Sequence, residues 1–193
     1  MKVIDAAALD YKTLNEVLRQ PEHDYVIEGC CGQRFIGAGM SDRNITVNGI
    51  SGNALGAYLN NASITVNANA QDAVGDTMNA GKILIHGSAG DAAGYAMRGG
   101  KIYVRDHAGY RAGIHMKEYK KKVPIIDYRR MRRQFSGGIS GRRDSDCIRI
   151  TGRSSSDHRQ FPLYRYARRK AVSAGRLQES EISSAGDGRY CFF

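Results

Sequence analysis

The stretch GNALGAYL, at residues 52–59, returns along the chain with small changes. It is followed by QDAVGDTM at 71–78, GDAAGYAM at 90–97 and GYRAGIHM at 109–116, and in each copy an apolar side chain stands three residues after a glycine. Successive glycines of this repeat have a constant 19-residue spacing, and they are Gly37, Gly56, Gly75, Gly94 and Gly113. A fixed period of this kind marks a solenoid, in which stacked units bury the apolar side that one unit cannot bury alone.

A strand-like triplet begins eight residues after each of the first four glycines. The first and third residues of a strand point to one face, so they should stack inward as ladders while the middle residues point outward. The predicted inward residues are Ile45, Val47, Ile64, Val66, Ile83, Ile85, Ile102 and Val104, and the predicted outward residues are Thr46, Thr65, Leu84 and Tyr103. A 19-residue unit suits one coil of a β-helix, so the sequence predicts an all-β solenoid.

The repeated glycine marks a place where a side chain is not tolerated. Either the chain turns a corner there with a positive φ, or neighbouring coils approach too closely for a Cβ atom. Both explanations give the five glycines a structural role.

The ends of a solenoid need covers. Residues 5–20 have polar ends and place apolar side chains at helical spacing, at Tyr11, Leu14, Val17 and Leu18. They predict an N-terminal capping helix over the first coil, which Pro21 helps to end. Residues 25–29 then predict a lead-in strand.

The chain changes character after residue 126, and we divide it into a cap at 1–29, a repeat domain at 30–126 and a tail at 127–193. Residues 1–126 carry 14 Lys+Arg and 12 Asp+Glu, whereas the tail carries 15 and 7 and holds most of the formal net charge of +10. The tail is predicted to be irregular, as a disordered segment or the product of a shifted reading frame. A real, divergent basic tail is the alternative. In the frameshift case the last coil would present unpaired strand edges, and self-association through that open end is expected.

The repeat and the sequence between its glycines closely resemble a known family. The stretch that runs from GNALGAYL through AGKILIHGSAGDAAGYAM to AGIHMKEYK resembles the glycine-repeat, or GXGXG, domain at the C-terminus of the glutamate synthase large subunit. The opening MKVIDAAALDYKTLNEVL and the later GQRFIGAGM look like the free-standing form of that domain, and a relative of the domain is found in formylmethanofuran dehydrogenase. The resemblance covers about residues 1–126.

This resemblance implies a right-handed parallel β-helix and a role without catalysis. In glutamate synthase, one domain releases ammonia from glutamine, and another, which holds FMN and an iron–sulfur cluster, adds it to 2-oxoglutarate and reduces the product. The β-helix domain is a scaffold packed against both, and it carries no known catalytic residue. The expected partners are therefore a glutaminase and an FMN-dependent synthase, and no catalytic, cofactor-binding or metal-binding residue is expected in this chain.

Three aspartates could suggest carboxylate catalysis or a metal site, and they are Asp72, Asp76 and Asp91. Asp72 and Asp91 share one repeat position, which favours exposed corner carboxylates stacked about 4.8 Å apart. The basic cluster HMKEYKKK at 115–122 favours a solvated loop, with contact to an acidic partner surface as the alternative.

The histidines and cysteines form no motif. Three histidines occupy three different repeat positions, and they are His86, His107 and His115. The cysteines lack the spacing of a zinc or iron–sulfur site, and they are Cys30, Cys31, Cys147 and Cys191. Free buried thiols in a reducing compartment are therefore expected. Because no run of 18 apolar residues occurs, we expect a cytoplasmic location and no membrane contact.

Two functions from different classes follow. The first is a structural subunit of a glutamate-synthase-type assembly. The second is non-specific nucleic-acid binding through tail motifs that interleave tyrosine and arginine, at 127–134 and 164–170. A hexapeptide-repeat acyltransferase would need a six-residue apolar period, which the repeat does not show.

Overall fold

Nine strands and one helix are present in the part of the chain that the computed structural model describes, which is residues 1–130, 146–151 and 165–166. The helix, α1, is Tyr11–Leu18. No helix in this part is long and apolar enough to cross a membrane. The strands are β1 Lys2–Asp5, β2 Asp24–Cys31, β3 Asn44–Ile50, β4 Asn60–Val66, β5 Ala80–Ile85, β6 Lys101–Val104, β7 Ile125–Arg130, β8 Asp146–Thr151 and β9 Arg165–Tyr166.

The strands form one sheet in chain order, and β1 to β7 within it are parallel. Because each of these strands pairs with the next along the chain, every connection between them is a complete coil, and the result is a parallel β-solenoid of about five turns. The right-handed winding that the family resemblance implies is also the usual hand of crossovers between parallel strands.

The predicted ladders are confirmed. Pairing in register stacks Ile45, Ile64, Ile83 and Ile102 in one ladder and Val47, Val66, Ile85 and Val104 in the other. All eight side chains are at most 1% exposed, whereas the four middle residues are partly exposed on the outer face. Tyr25 and Ile126 extend the first ladder beyond the repeat at either end and are equally buried. Each buried aliphatic side chain contributes about 1.5–3 kcal/mol.

The capping helix is shorter than predicted. It begins at Tyr11, because the Asp10 side chain accepts a hydrogen bond from the backbone N–H of Thr13 and so caps the first turn. The prediction of a helix over 5–20 is wrong for the residues before Tyr11, and residues 2–5 form β1, which pairs with β2.

The cap is nevertheless joined to the first coil as expected. Leu14 and Leu18 of α1 are fully buried in the common core. The Gln33 side chain donates a hydrogen bond to the carbonyl of Ala6 at 2.7 Å, which holds the segment between β1 and α1. The predicted lead-in strand at 25–29 lies within β2.

The coil between β6 and β7 is longer than the repeat. Ile83 and Ile102, which pair between β5 and β6, are one repeat apart, whereas Ile126, which pairs with Ile102, lies more than one repeat beyond it. Because of the extra residues, β7 does not lie where the repeat period would place the next strand, so the period does not predict it. The expected unpaired strand edge after residue 126 is wrong, because β7 covers β6 and β8 covers β7 in antiparallel pairing.

Most of the predicted tail lies outside the described residues. Of the motifs at 127–134 and 164–170, only 127–130 and 165–166 are described, as parts of β7 and β9. The frameshift, disorder and nucleic-acid interpretations therefore stay predictions, as does self-association through the end of the solenoid.

The inward and outward positions of β5 can be separated by mutation. We expect Ile85→Asp to unfold the solenoid, because it places an unpaired carboxylate in the core, at a cost of several kcal/mol. Leu84→Asp should change the free energy of unfolding by less than about 1 kcal/mol, because its side chain faces outward. Urea denaturation followed by circular dichroism measures both, and equal destabilisation by the two variants would contradict the register.

Candidate functional site

Each of the five coils between β2 and β7 turns through a corner that contains three residues with positive φ, spaced two residues apart; we call each set a corner trio. In the second coil they are Ala54, Gly56 and Tyr58, with φ of 59°, 63° and 56°. The other corner trios are Phe35/Gly37/Gly39, Ala73/Gly75/Thr77, Ala92/Gly94/Ala96 and Arg111/Gly113/His115. Every predicted structural glycine therefore occupies the centre of a trio, while the outer positions accept other residues.

The central position is restricted to glycine by a side chain inside the coil. A Cβ atom on Gly56 would lie 2.7 Å from Cδ1 of Ile83, and one on Gly75 would lie 2.5 Å from Cδ1 of Ile102. Carbon atoms in contact are about 3.5–4.0 Å apart, so either Cβ would force the buried isoleucine side chain to move. Gly39, at an outer position with φ of 69°, has no atom within 4 Å of a Cβ. Both explanations for the repeated glycine, the positive φ and the close approach, therefore hold at these central positions.

Hydrogen bonds from the corner alternate between the two neighbouring coils. The N–H of Gly75 donates back to the carbonyl of Leu55 at 2.8 Å. The N–H groups on either side of it in the trio donate forward, from Ala73 to Asp91 and from Thr77 to Tyr95, both at 2.8 Å. Each coil is thus bonded to both neighbours at the corner as well as in the sheet.

The corner carboxylates serve the backbone of the next coil. Oδ1 of Asp72 accepts a hydrogen bond from the N–H of Asp91, and Oδ1 of Asp91 accepts one from the N–H of Tyr110, both at 2.8 Å. Asp76 accepts from the hydroxyl of Thr77 instead. Asp72 and Asp91 are both exposed, as predicted. Their hydrogen bonds to the next coil give both carboxylates a structural role.

The three histidines do not converge. Nδ1 of His107 lies 3.3 Å from Oγ of Ser88, and the ring of His115 packs edge-on against Tyr95 with centroids 5.5 Å apart. His86 follows β5 on the outer side. Among residues 1–130 and the later described strands, no group of three His, Cys, Asp or Glu could hold a metal ion.

The two cysteines of β2 are adjacent and differ in environment. Sγ of Cys30 is buried and lies 3.3 Å from Oε1 of Gln33 and 3.4 Å from the carbonyl oxygen of Ile50, and burial raises the pKa of this thiol. Both thiols are free, but the expectation of burial is wrong for Cys31, which is exposed because neighbouring residues of a strand point to opposite sides. For the same reason this pair does not fit one iron atom of an iron–sulfur cluster. Cys191 lies outside the described residues.

A shallow depression of about 240 Å³ lies between α1 and the first corner, with Tyr11 and Phe35 in its lining. The guanidinium of Arg34 lies 5.0 Å from the ring centre of Tyr11, and Asn15 Nδ2 donates to the Arg34 carbonyl at 3.2 Å. These contacts fasten the cap helix to the solenoid.

The basic cluster at 115–122 contains a tight turn. Tyr119 and Lys122 exchange two backbone hydrogen bonds of 3.0 Å, and Nζ of Lys120 lies 5.3 Å from the Tyr119 ring centre. The predicted loop is confirmed, and its contact with an acidic partner stays a prediction.

Exposed aromatic side chains along the corners were not predicted from the sequence, except Tyr110, which shares the exposed repeat position of Asp72 and Asp91. Tyr58 is 58% exposed and Tyr110 is 83% exposed, and Phe35 and Tyr95 are also exposed. The sequence did contain one signal for exposure: Tyr58 is bulky, whereas the equivalent residues Thr77 and Ala96 of the next two repeats are small. Tyrosine on a rigid surface is typical of protein interfaces.

The packing restriction at the corner predicts a compensating pair of substitutions. Gly75→Ala should lower the free energy of unfolding by about 3 kcal/mol, from the left-handed backbone and from overpacking against Ile102. Gly39→Ala is the matched control, and it should cost only the backbone term of about 1–2 kcal/mol. Adding Ile102→Val removes the clashing Cδ1 and should partly rescue Gly75→Ala in urea denaturation. If the double variant is as unstable as the two single effects combined, the clash is not the cause.

The two thiols should react at different rates. With N-ethylmaleimide at neutral pH, we expect Cys31 to be labelled first, because Cys30 is buried and its raised pKa leaves less thiolate. Fragmentation of the labelled peptide by mass spectrometry distinguishes the two positions. In 8 M urea (about the concentration that unfolds most domains) the difference should disappear; equal labelling of the native protein would show that Cys30 is accessible.

The comparison with protein families connects this geometry to a known group. The family model for the GXGXG motif matches residues 23–127, which is more than half of the 193-residue chain and includes all five corner trios. No curated protein and no solved structure matches the chain. The matched region contains every repeated corner with its central glycine between β2 and β7, and the chain belongs to the GXGXG motif family.

Proposed function

We propose that this chain is a structural, non-catalytic component of a glutamate-synthase-type assembly, which makes glutamate from glutamine, 2-oxoglutarate and a reductant. The observation that carries the proposal is the family match over residues 23–127, from the start of β2 into β7. That region is the solenoid itself, so what this chain shares with the family is a framework.

The solenoid has the stiffness that a scaffold needs. Neighbouring coils are joined by the parallel sheet and, at the corner, by bonds such as Gly94 N–H to the Val74 carbonyl at 2.7 Å. A side chain at one repeat position is therefore held about 4.8 Å from its equivalent in the next coil. A surface built in this way can hold two partner domains at a constant separation.

The exposed tyrosines of the corners are the docking residues that this proposal favours. Tyr58 and Tyr95 lie within or beside corner trios, where the backbone is hydrogen-bonded to both neighbouring coils. An aromatic side chain on such a backbone offers contact area with little loss of conformational freedom on binding.

The partners in this proposal carry the chemistry. A glutaminase would release ammonia, and an FMN-dependent synthase would hold the flavin and the iron–sulfur cluster. We place the assembly in the cytoplasm.

Co-purification tests this function. The full chain, tagged, should retain a glutaminase-type and an FMN-dependent synthase-type protein encoded in the same genome, and the eluate should carry the absorbance of bound flavin. Tyr58→Ser combined with Tyr95→Ser should weaken retention by about tenfold or more if these side chains are interface anchors. Val3→Ser is the control, since it removes an exposed apolar side chain from β1.

The control experiments separate docking from folding. Circular dichroism should show that the tyrosine variants fold as well as the parent chain. Failure of the parent chain to retain either partner would refute the proposed role, while equal loss with Val3→Ser would move the docking surface away from the corners.

A further inference from the structure

The outer face of the sheet carries three columns of side chains, which alternate with the two buried ladders. They lie on β2 to β6 and on the residues that directly follow these strands, and we call this surface the strand face. The first column is Asp24, Asn44, Ser63, Lys82 and Lys101; the middle column is Val26, Thr46, Thr65, Leu84 and Tyr103; the third column is Glu28, Asn48, Asn67, His86 and Arg105.

One end of the strand face is acidic. Asp24 and Glu28 on β2 are exposed, and amides on β3 orient both carboxylates. Nδ2 of Asn44 donates to Asp24 at 2.8 Å, and Nδ2 of Asn48 donates to Glu28 at 2.6 Å. The acidic groups are thus held at two fixed points of the face.

The opposite end is basic. Lys82, Lys101 and Arg105 are exposed, and Nζ of Lys82 lies 5.6 Å from the ring centre of Tyr103. Arg105 forms an ion pair of 3.4 Å with its partly exposed neighbour Asp106. A surface pair of this kind is weak, so a better-placed carboxylate can displace it.

The centre of the strand face is uncharged, and the face ends at β6. Ser63, Thr65 and Asn67 on and after β4 lie midway between the acidic and basic ends. Beyond β6, Asp127 continues the middle column on β7 but is only 8% exposed, so we limit the strand face to β2–β6.

This arrangement of charge is complementary to itself. A two-fold axis parallel to the strands and above β4 places β2 of one copy over β6 of another, and β3 over β5. Asp24 then faces Lys101 of the second copy. Glu28 faces Arg105 in the same way, and each of these pairs occurs twice.

The middle column is compatible with the same axis. Val26 lies over Tyr103 of the other copy, Thr46 lies over Leu84, and Thr65 lies over its own equivalent. Between the charged pairs, the two copies thus meet through apolar or small side chains, as expected of an isologous interface with a polar rim.

We propose that the strand face is a self-recognition surface, through which two copies of this chain form an isologous, face-to-face dimer. Five strands of about five residues give a face of ~24 Å by ~17 Å, or roughly 400 Å² from each copy. The two copies together bury about 800 Å², which is below the area of a stable specific interface, so the dimer is weak, reversible and sensitive to salt.

Sedimentation velocity on the full chain tests the proposal. The parent chain should shift from monomer to dimer as its concentration rises from about micromolar to hundreds of micromolar at low salt, the range of a weak complex. Glu28→Arg alone, or Arg105→Glu alone, creates two like-charge contacts and should raise the dimer Kd about tenfold or more. The controls Glu16→Arg and Arg98→Glu make the same charge changes at exposed positions off the face and should leave the Kd unchanged.

Mixing the two strand-face variants is the decisive measurement. The arginine introduced at position 28 of one variant then faces the glutamate introduced at position 105 of the other, while the native Arg105 faces the native Glu28. An equimolar mixture should therefore associate although each variant alone does not, and circular dichroism confirms that both are folded. A parent chain that stays monomeric at low salt, or a mixture that stays monomeric, would overturn the proposal. Association that persists in both single variants would also overturn it, because it would place self-association elsewhere on the chain.

Discussion

The contact between a corner glycine and the isoleucine of the following coil sets the geometry of this solenoid. At Gly75 a single methyl group would lie 2.5 Å from Cδ1 of Ile102, so a Cβ there would displace a side chain of the packed core. The same glycine has a positive φ, and its N–H donates to the preceding coil. Packing and backbone hydrogen bonding therefore both act on this one residue, which returns every 19 residues along the repeat.

Most of the strand architecture could be predicted from the sequence because the ladders repeat without gaps. Prediction stopped where coil length changed. The coil before β7 is longer than the repeat, with Ile102 paired to Ile126, and the coil between β1 and β2 is also longer, with Ile4 paired to Ile27. A periodic argument cannot place strands after such changes. The helix start was mispredicted because alanine-rich residues favour a helix locally, whereas Asp10 supplies the actual cap.

The candidate site was predictable only in its structural part. Asp72 and Asp91 occupy equivalent positions one repeat apart, and this equivalence predicted that their side chains stack. In the structure, side chains at this position accept hydrogen bonds from the backbone of the next coil, which accounts for the stack. The exposed aromatic residues were missed for the opposite reason. Tyr58 and Tyr95 occupy different repeat positions, so they form no ladder, and the sequence marks them only as bulkier than most of their equivalents in other coils.

The inward and outward positions of the solenoid are thus under different constraints. Inward positions must be nearly identical from coil to coil, since Ile64 and Ile83 occupy the same place in the core one coil apart. Outward positions carry no such restriction, so they can change step by step along the axis, as the strand face does from Glu28 to Arg105. The charge of the strand face therefore changes from acidic to basic along the solenoid axis, whereas the core residues stay nearly the same. In both proposals, recognition of another protein or of a second copy depends on residues that the repeat does not constrain.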